Sequence, residues 1–345
     1  MRMRREPPRE KTPLMPAGPS ETLPSPSVAL SPGALVLDGR FRVVRLLGQG
    51  GMGFVYLAEQ VSLGRPVAIK VLRSDLTLTA GFAERFRREA LLLSSVEHPA
   101  VVRVIDYGAH GDAPCLVMEY VEGETLEAVL TREAPLSVDR VERLLAQLAT
   151  GLTAIHAKGI VHRDLKPDNV VVTKTAEGGE YARLLDFGIA RLMAADEDAG
   201  AKASVTQVGI VLGTPEYVSP EQALGQPLDA RSDLYALGVI LFRALTGKHP
   251  FPGPSPREFI SQHIHQAPPS LLDLAPHLSG FPALVAAVSG CLEKNPANRP
   301  QTASALYTLS TSRPLTLSTT VPPPSALRPP PRSMAMKAVA IGAAV

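Results

Sequence analysis

The chain is poor in the residues that announce a small secreted or metal-stapled protein: 345 residues carry two cysteines, no tryptophan and 5% aromatics. Two thiols, Cys115 and Cys291, are too few for a disulfide framework or a four-ligand zinc site. Both lie in apolar sequence, where a free thiol behaves as a small hydrophobe, so a reducing compartment is expected. Charge of one sign is missing too: Lys+Arg 35 against Asp+Glu 33 leaves +2. That balance offers no basic field for nucleic acid and no acidic solvating tail. Nor does any apolar run reach the roughly 20 residues that a membrane-spanning helix needs. The last eight residues, AVAIGAAV after Lys337, fall short. A cytoplasmic location is expected, with membrane anchoring as the alternative if that stub opens a truncated transmembrane helix. Arg4-Arg5 lacks the apolar stretch that a signal peptide would require next.

Proline is plentiful, and its clustering draws the domain map. Residues 1–38 form a Pro-rich leader and residues 310–345 a Pro/Ser/Thr-rich tail, neither with an apolar period. Between them, residues 39–309 hold the globular part of a chain that is 45% hydrophobic. Short β-branched and aliphatic runs at 41–47, 54–58, 67–72, 101–105 and 115–121 predict an antiparallel sheet. A helix over 81–96 interrupts them, and helical patterns at 138–157, 232–246 and 283–293 follow. The expectation is an α+β fold of two lobes. A small β-rich lobe (about 41–119) passes through a connection (119–123) into a larger helical lobe (124–309).

Residues 48–55 read GQGGMGFV, in which Gly48, Gly50 and Gly53 form a G-x-G-x-x-G pattern. Alone this is weak, since several nucleotide-binding designs share it. A dinucleotide-binding fold would continue as a helix, whereas FVYLA continues as a strand, turns at Gly64-Arg65-Pro66 and returns as VAIKVL. The loop therefore closes a hairpin whose glycines let backbone N–H groups approach phosphate oxygens. No G-x-x-x-x-G-K-[ST] stretch occurs, so a P-loop enzyme is excluded. Lys70 sits inside the return strand, a poor place for a charge unless an anion meets it. On the following helix Phe82, Phe86, Glu89 and Leu93 share one stripe. An inward Glu89 needs a cation, and Lys70 is the natural one, although an ordinary helix-to-sheet salt bridge reads the same way.

Residues 162–169 read HRDLKPDN, and VVV with the later ARLL forms a hairpin after it. Asn169 precedes the first strand and Asp186 follows the second, so two hard oxygen ligands converge across 17 positions. A carboxylate and an amide, completed by water and phosphate oxygens, suit Mg²⁺, with Mn²⁺ as an alternative ion. Asp164, at the same edge, can accept a hydroxyl proton. Lys166 can neutralise a phosphate in transit.

Taken in order, GQGGMGFV, VAIK, the Glu89 helix, HRDLKPDN, DFG and GTPEYVSPE resemble the eukaryotic-like protein kinases, from about Phe41 to Leu309. VMEYVEGETL and YVSPEQ most resemble the bacterial serine/threonine branch. The resemblance implies ATP and Mg²⁺ as cofactors. Lys70 would hold the α- and β-phosphates and pair with Glu89, Asp164 would be the base, and Asn169 with Asp186 would hold the metal. It also implies Met118 as gatekeeper, Glu119 to Val121 as the hinge that meets the adenine edge, and Leu47, Val55, Ala68 and Val171 around the ring. Asp233 would hold the catalytic loop, and Glu221 with Arg299 would form a buried structural pair. Two departures, Ser219 where many members have Ala and DLYALG without a Trp, leave the chemistry intact.

Lys166 two residues after Asp164, together with Thr214, resembles serine/threonine rather than tyrosine kinases, so protein Ser or Thr hydroxyls are the expected acceptors. Arg163 could receive a phosphate on the segment 189–219, with Thr206 the first autophosphorylation candidate and Ser204 the second. A homodimer is the arrangement such autophosphorylation would use. A pseudokinase would show damage at Lys70, Asp164 or Asp186, and none is seen. A membrane receptor kinase would add a location without replacing the chemistry.

Overall fold

The computed structural model describes residues 30–51, 53–73, 81–175, 178–185 and 214–311. The smaller lobe is a six-stranded antiparallel sheet of order β1-β2-β3-β4-β6-β5. Its strands are β1 (Leu35–Val36), β2 (Phe41–Gly50), β3 (Gly53–Gln60), β4 (Arg65–Leu72), β5 (Val104–His110) and β6 (Ala113–Glu119). Helix α1 (Phe82–Ser94) packs Phe82, Phe86, Ala90 and Leu93 into the core, with Glu89 on the same buried face. The stripe predicted from i+3 and i+4 spacing is the one observed.

Residues 30–38, the last part of the expected Pro-rich leader, form a strap across the outer face of the sheet. β1 pairs with β2 through Leu35↔Arg42 and Val36↔Phe41. The Leu30 N–H donates to Tyr56 Oη at 2.9 Å. Val36 and Leu37 then close a second core over Phe41, Val43, Tyr56, Ile69, Cys115 and Val117. Leu37 and Asp38 take left-handed φ angles of 52° and 57° to make the turn. A strap of two buried residues leaves too little periodicity for a sequence pattern.

The run at 101–105 is also reassigned, because the other lobe captures its first residues. Val102 N–H donates to Leu184 O at 2.9 Å, and Leu184 N–H donates to Ala100 O at 2.7 Å. Val101 thereby bridges Leu184 in parallel, and the strand proper begins at Val104.

A second, three-stranded sheet contains β7 (Glu124–Thr125), β8 (Val170–Lys174) and β9 (Glu180–Leu184) in that order. The larger lobe adds α2 (Leu126–Glu133), α3 (Val138–His156), α4 (Pro220–Ala223), α5 (Ala230–Thr246), α6 (Pro256–His265), α7 (Leu271–Leu274), α8 (Pro282–Cys291) and α9 (Ala303–Thr311). Helix α5 starts on the side chain of Asp229, which accepts from Arg231 N, and stops at Gly247 with φ 71°. It is buried almost all round, including the predicted stripe Leu234, Leu237, Leu241 and Ala244. Gly238 is the point of closest approach, since a Cβ there would lie 2.5 Å from Cys291 Cβ on α8. Cys115 in the sheet lobe and Cys291 in the helical lobe are both buried free thiols, as expected. Among the described residues no helix is long and apolar enough to cross a membrane. The apolar stub after Lys337 lies outside them.

Candidate active site

The loop between α3 and β8 is fixed from below by one carboxylate. Asp233, on α5 and 1% exposed, accepts from His162 N at 2.8 Å through Oδ2 and from Arg163 N at 2.9 Å through Oδ1. His156 Nε2 approaches Oδ2 at 2.8 Å. The role expected for Asp233 is therefore met in full. Arg163 sits at φ 63°, a left-handed value that costs a non-glycine residue on the order of 1–3 kcal/mol and persists where neighbours over-determine it. Gln222 supplies another of those neighbours, donating from Nε2 to Arg163 O at 2.7 Å. Ser219 and Gln222 cap α4 reciprocally. Ser219, a mild departure from the family pattern, thus orients the amide that steadies the loop; sequence reasoning missed Gln222 because only the cap's geometry reveals it.

On this platform Asp164 faces two groups. Asn169 Nδ2 donates to Asp164 O at 2.7 Å and to its Oδ2 at 3.2 Å. Lys166 Nζ lies 3.9 Å from that same Oδ2 and donates to Thr214 Oγ1 at 2.8 Å. One ammonium therefore joins the predicted base to the predicted substrate-loop threonine, 48 residues downstream of the lysine. Beside them Asp168 is buried, and that burial raises its carboxyl pKa against the opposing pull of Lys166.

The β8–β9 hairpin forms as the sequence predicts. Val170 pairs with Leu184, and Leu185 N–H donates to Asn169 O at 2.8 Å. His162 Nε2 lies 2.9 Å from Leu185 O, so this ring nitrogen carries the proton. The residue before Asp186 is thus bonded to Asn169. Asp186, Ser204 and Thr206 lie outside the described residues. With Asn169 Nδ2 committed to Asp164, its Oδ1 is the atom left to ligate, and a hard amide oxygen fits a hard divalent cation.

The nucleotide-binding candidates are divided between the two sheets. Ala68 of β4 pairs with Met118 of β6, and Leu47, Ala68 and Met118 are buried in one core with Val55 packed against it. Val171 of β8 is buried on the opposite side. Gly48 and Gly50 lie at the end of β2, where Gly50 pairs with Gly53. Gly53 has φ 147°, and a Cβ there would sit 2.0 Å from Val71 O, so the hairpin admits only glycine. Beyond Glu119, whose N–H donates to Arg103 O at 2.9 Å, the chain leaves the sheet through Tyr120 and Val121. At Gly123 a Cβ would lie 2.7 Å from Val171 Cγ1 and 2.5 Å from Val172 O, so the connection passes tightly over β8.

Lys70 lies opposite Val55 on β3 and is 9% exposed. Glu89 is 7% exposed, as its stripe predicts. Its ion pair among the described residues is with Arg88 at 3.4 Å rather than with Lys70. Among the described ion pairs, Glu89 is joined to its helix neighbour Arg88 and the expected pairing with Lys70 does not occur. The Glu221–Arg299 pair is formed, as a buried fork of 2.7 and 2.8 Å.

A sheet lobe joined through a short connection to a helical lobe, with a carboxylate, an amide and an ammonium gathered at their junction, defines a nucleotide-dependent phosphotransferase architecture. The comparisons agree: the family model described as "Protein kinase domain" matches residues 41–308. The chain belongs to the protein kinase family. Over 277 residues it is 61% identical to "Serine/threonine-protein kinase pkn2" of Myxococcus xanthus, covering 80% of this chain and 33% of that protein. It is 43% identical over 274 residues to "Serine/threonine-protein kinase PknB" of Mycolicibacterium smegmatis, covering 78% of this chain and 42% of that one. The chain thus spans a third to under half of these relatives' length. A crystal structure of the Mycobacterium tuberculosis PknI kinase domain superposes with TM-score 0.62 at 27% identity, covering 82% of this chain and 99% of that one. A structure of Rad53 in complex with AMP-PNP shares the fold at TM-score 0.63 and 23% identity, over 78% of this chain and 64% of that one.

Proposed function

We propose that the protein is an ATP-dependent serine/threonine kinase that transfers the γ-phosphoryl group of ATP to protein Ser or Thr hydroxyls. The observation that carries this reading is the bridge from Asp164 through Lys166 to Thr214, with Asn169 bonded to the same aspartate. In the transfer, the acceptor hydroxyl oxygen bonds to the γ-phosphorus as the bond to the β–γ bridging oxygen breaks. Asp164 takes the hydroxyl proton, ADP leaves, and Lys166 offsets charge on the moving group. Asn169 and Asp186 are the residues that would hold Mg²⁺, which when bound neutralises phosphate charge and orients the polyphosphate. Lys70 binds the α- and β-phosphates and takes Glu89 from Arg88 in the active conformation. The bacterial Ser/Thr kinase names of the relatives support the acceptor class, and buried free thiols support a cytoplasmic site of action.

Incubation with Mg²⁺ and γ-labelled ATP should label the protein or a generic basic substrate. Asp164→Asn should slow this by on the order of 10²–10⁴ through loss of the base. Asp186→Asn should remove nearly all of it. Equal labelling by wild type and both variants would assign the activity to a contaminant and end the proposal. Phosphopeptide mapping of the same sample is expected to find Thr206, then Ser204, and to detect autophosphorylation between two copies as a concentration-dependent rate.

A further inference from the structure

In the proposed nucleotide slot the roof and the floor lie on different sheets, and the chain passes from one to the other through residues 120–123. The roof residue Ala68 belongs to β4, which pairs with β6 through Met118 and Glu119. The floor residue Val171 belongs to β8, where its partner across the ladder is Arg183 of β9. The Arg183 guanidinium crosses from one sheet to the other. Its Nη1 and Nη2 donate to the two carboxylate oxygens of Glu119 at 2.8 and 2.7 Å, and Nη2 also reaches Val101 O at 3.4 Å. Glu119 is the last residue of β6, adjacent to Met118.

The fork therefore closes a frame running from roof to hinge strand, across the ion pair, to floor. Two backbone neighbours stiffen the same strand: Leu184 is bonded to Ala100 and Val102, and Leu185 to Asn169 and His162. Three consecutive residues before Asp186 thus grip the hinge strand, the loop after α1 and the catalytic loop. The Arg183 side chain is 18% exposed and that of Glu119 39%, so water screens the pair only in part. Burial alone would raise the Glu119 carboxyl pKa, but Arg183 outweighs it and holds the group below the usual range, ionised at neutral pH.

We infer that Arg183 is a positioning residue that fixes the height of the nucleotide slot, by tying the floor strand to the hinge strand through Glu119, and so sets affinity for the nucleotide. The inference rests on the nucleotide-binding part of the proposed function. Planar fork geometry is what makes the tie directional, and a lysine would supply charge without direction.

Calorimetric titration of ADP with Mg²⁺ into the full chain tests it without requiring turnover. Arg183→Met should raise Kd about tenfold, equivalent to about 1.4 kcal/mol. Arg183→Lys should give an intermediate Kd, and the charge reversal Arg183→Glu with Glu119→Arg should recover most of the loss. A Kd for Arg183→Met within about twofold of wild type, or a loss that the reversal leaves untouched, overturns the inference. Should Arg183→Met not fold, the lysine variant decides, because an unchanged Kd there is equally fatal. Wild type that binds ADP but transfers no phosphate removes the kinase reading while leaving this one standing. Wild type that does not bind ADP removes both.

Discussion

Two helices, one in each lobe, carry a buried glutamate, and the two carboxylates are held in different ways. Glu221 on α4 receives both arms of the Arg299 fork and a hydrogen bond from Ser232 Oγ at 2.7 Å. Arg299 spends its remaining donors on the carbonyls of Arg231, Glu293 and Lys294. Glu89 on α1 meets a single arginine from its own helix, whose side chain is 62% exposed. The helical lobe thus uses its pair as a completed joint, buried and fully hydrogen-bonded. The sheet lobe leaves its carboxylate on one exposed partner, and under the proposed function Lys70 would replace that partner.

Breaking the completed joint should have the largest effect. Arg299→Met leaves Glu221 buried without its cation and should cost about 3–5 kcal/mol of stability in urea denaturation. A loss near that of an exposed ion pair would erase the distinction between the lobes. The acid limb sharpens the point. Burial pushes the Glu221 carboxyl up, but hydrogen bonds from Arg299 and Ser232 outweigh it and keep it below the usual carboxylate range. The stability it contributes is complete above the unfolded glutamate pKa of about 4.3 and drains away as pH falls through the lower folded value. Wild type and Arg299→Met should therefore converge in stability on acidification.

Glu89→Gln should separate chemistry from folding, lowering kcat/KM by at least about tenfold, about 1.4 kcal/mol of barrier, with little change in the urea midpoint. A stability loss matching that of Arg299→Met would show that Glu89 is a joint of the same kind. The smallest effect belongs to Arg88→Ala, which removes an exposed partner and should shift stability by about 0–1 kcal/mol with phosphorylation rates unaltered. A clear drop in rate would instead make Arg88 part of the active arrangement.

Much of the site was legible because its chemistry sits in short motifs whose local structure is forced. Pro167 opens a 3-10 turn that ends at Asn169, the apolar ladder after it makes a hairpin, and spacing alone turns Glu89 inward. What escaped depends on contacts between residues far apart in the chain. Arg183 and Glu119 are 64 positions apart, and Lys166 and Thr214 are 48 apart. Tyr217 is tied through Arg243 to Glu127 on α2, and no periodicity encodes that meeting of three elements. The misplacement of the strand at 101–105 has the same origin, since Val101 and Val102 look like any β-formers until Leu184 engages the backbone of Ala100 and Val102. The strap at 30–38 was hidden because polar, turn-rich sequence surrounds its two buried aliphatics.

The division of the two thiols between the lobes has a practical consequence. Burial pushes Cys115 up to about 11 and Cys291 up to about 12, so neither is a nucleophile at neutral pH while its lobe is closed. Each is therefore a built-in reporter: alkylation at Cys115 would time the opening of the sheet lobe and alkylation at Cys291 that of the helical lobe, with no label engineered into the chain.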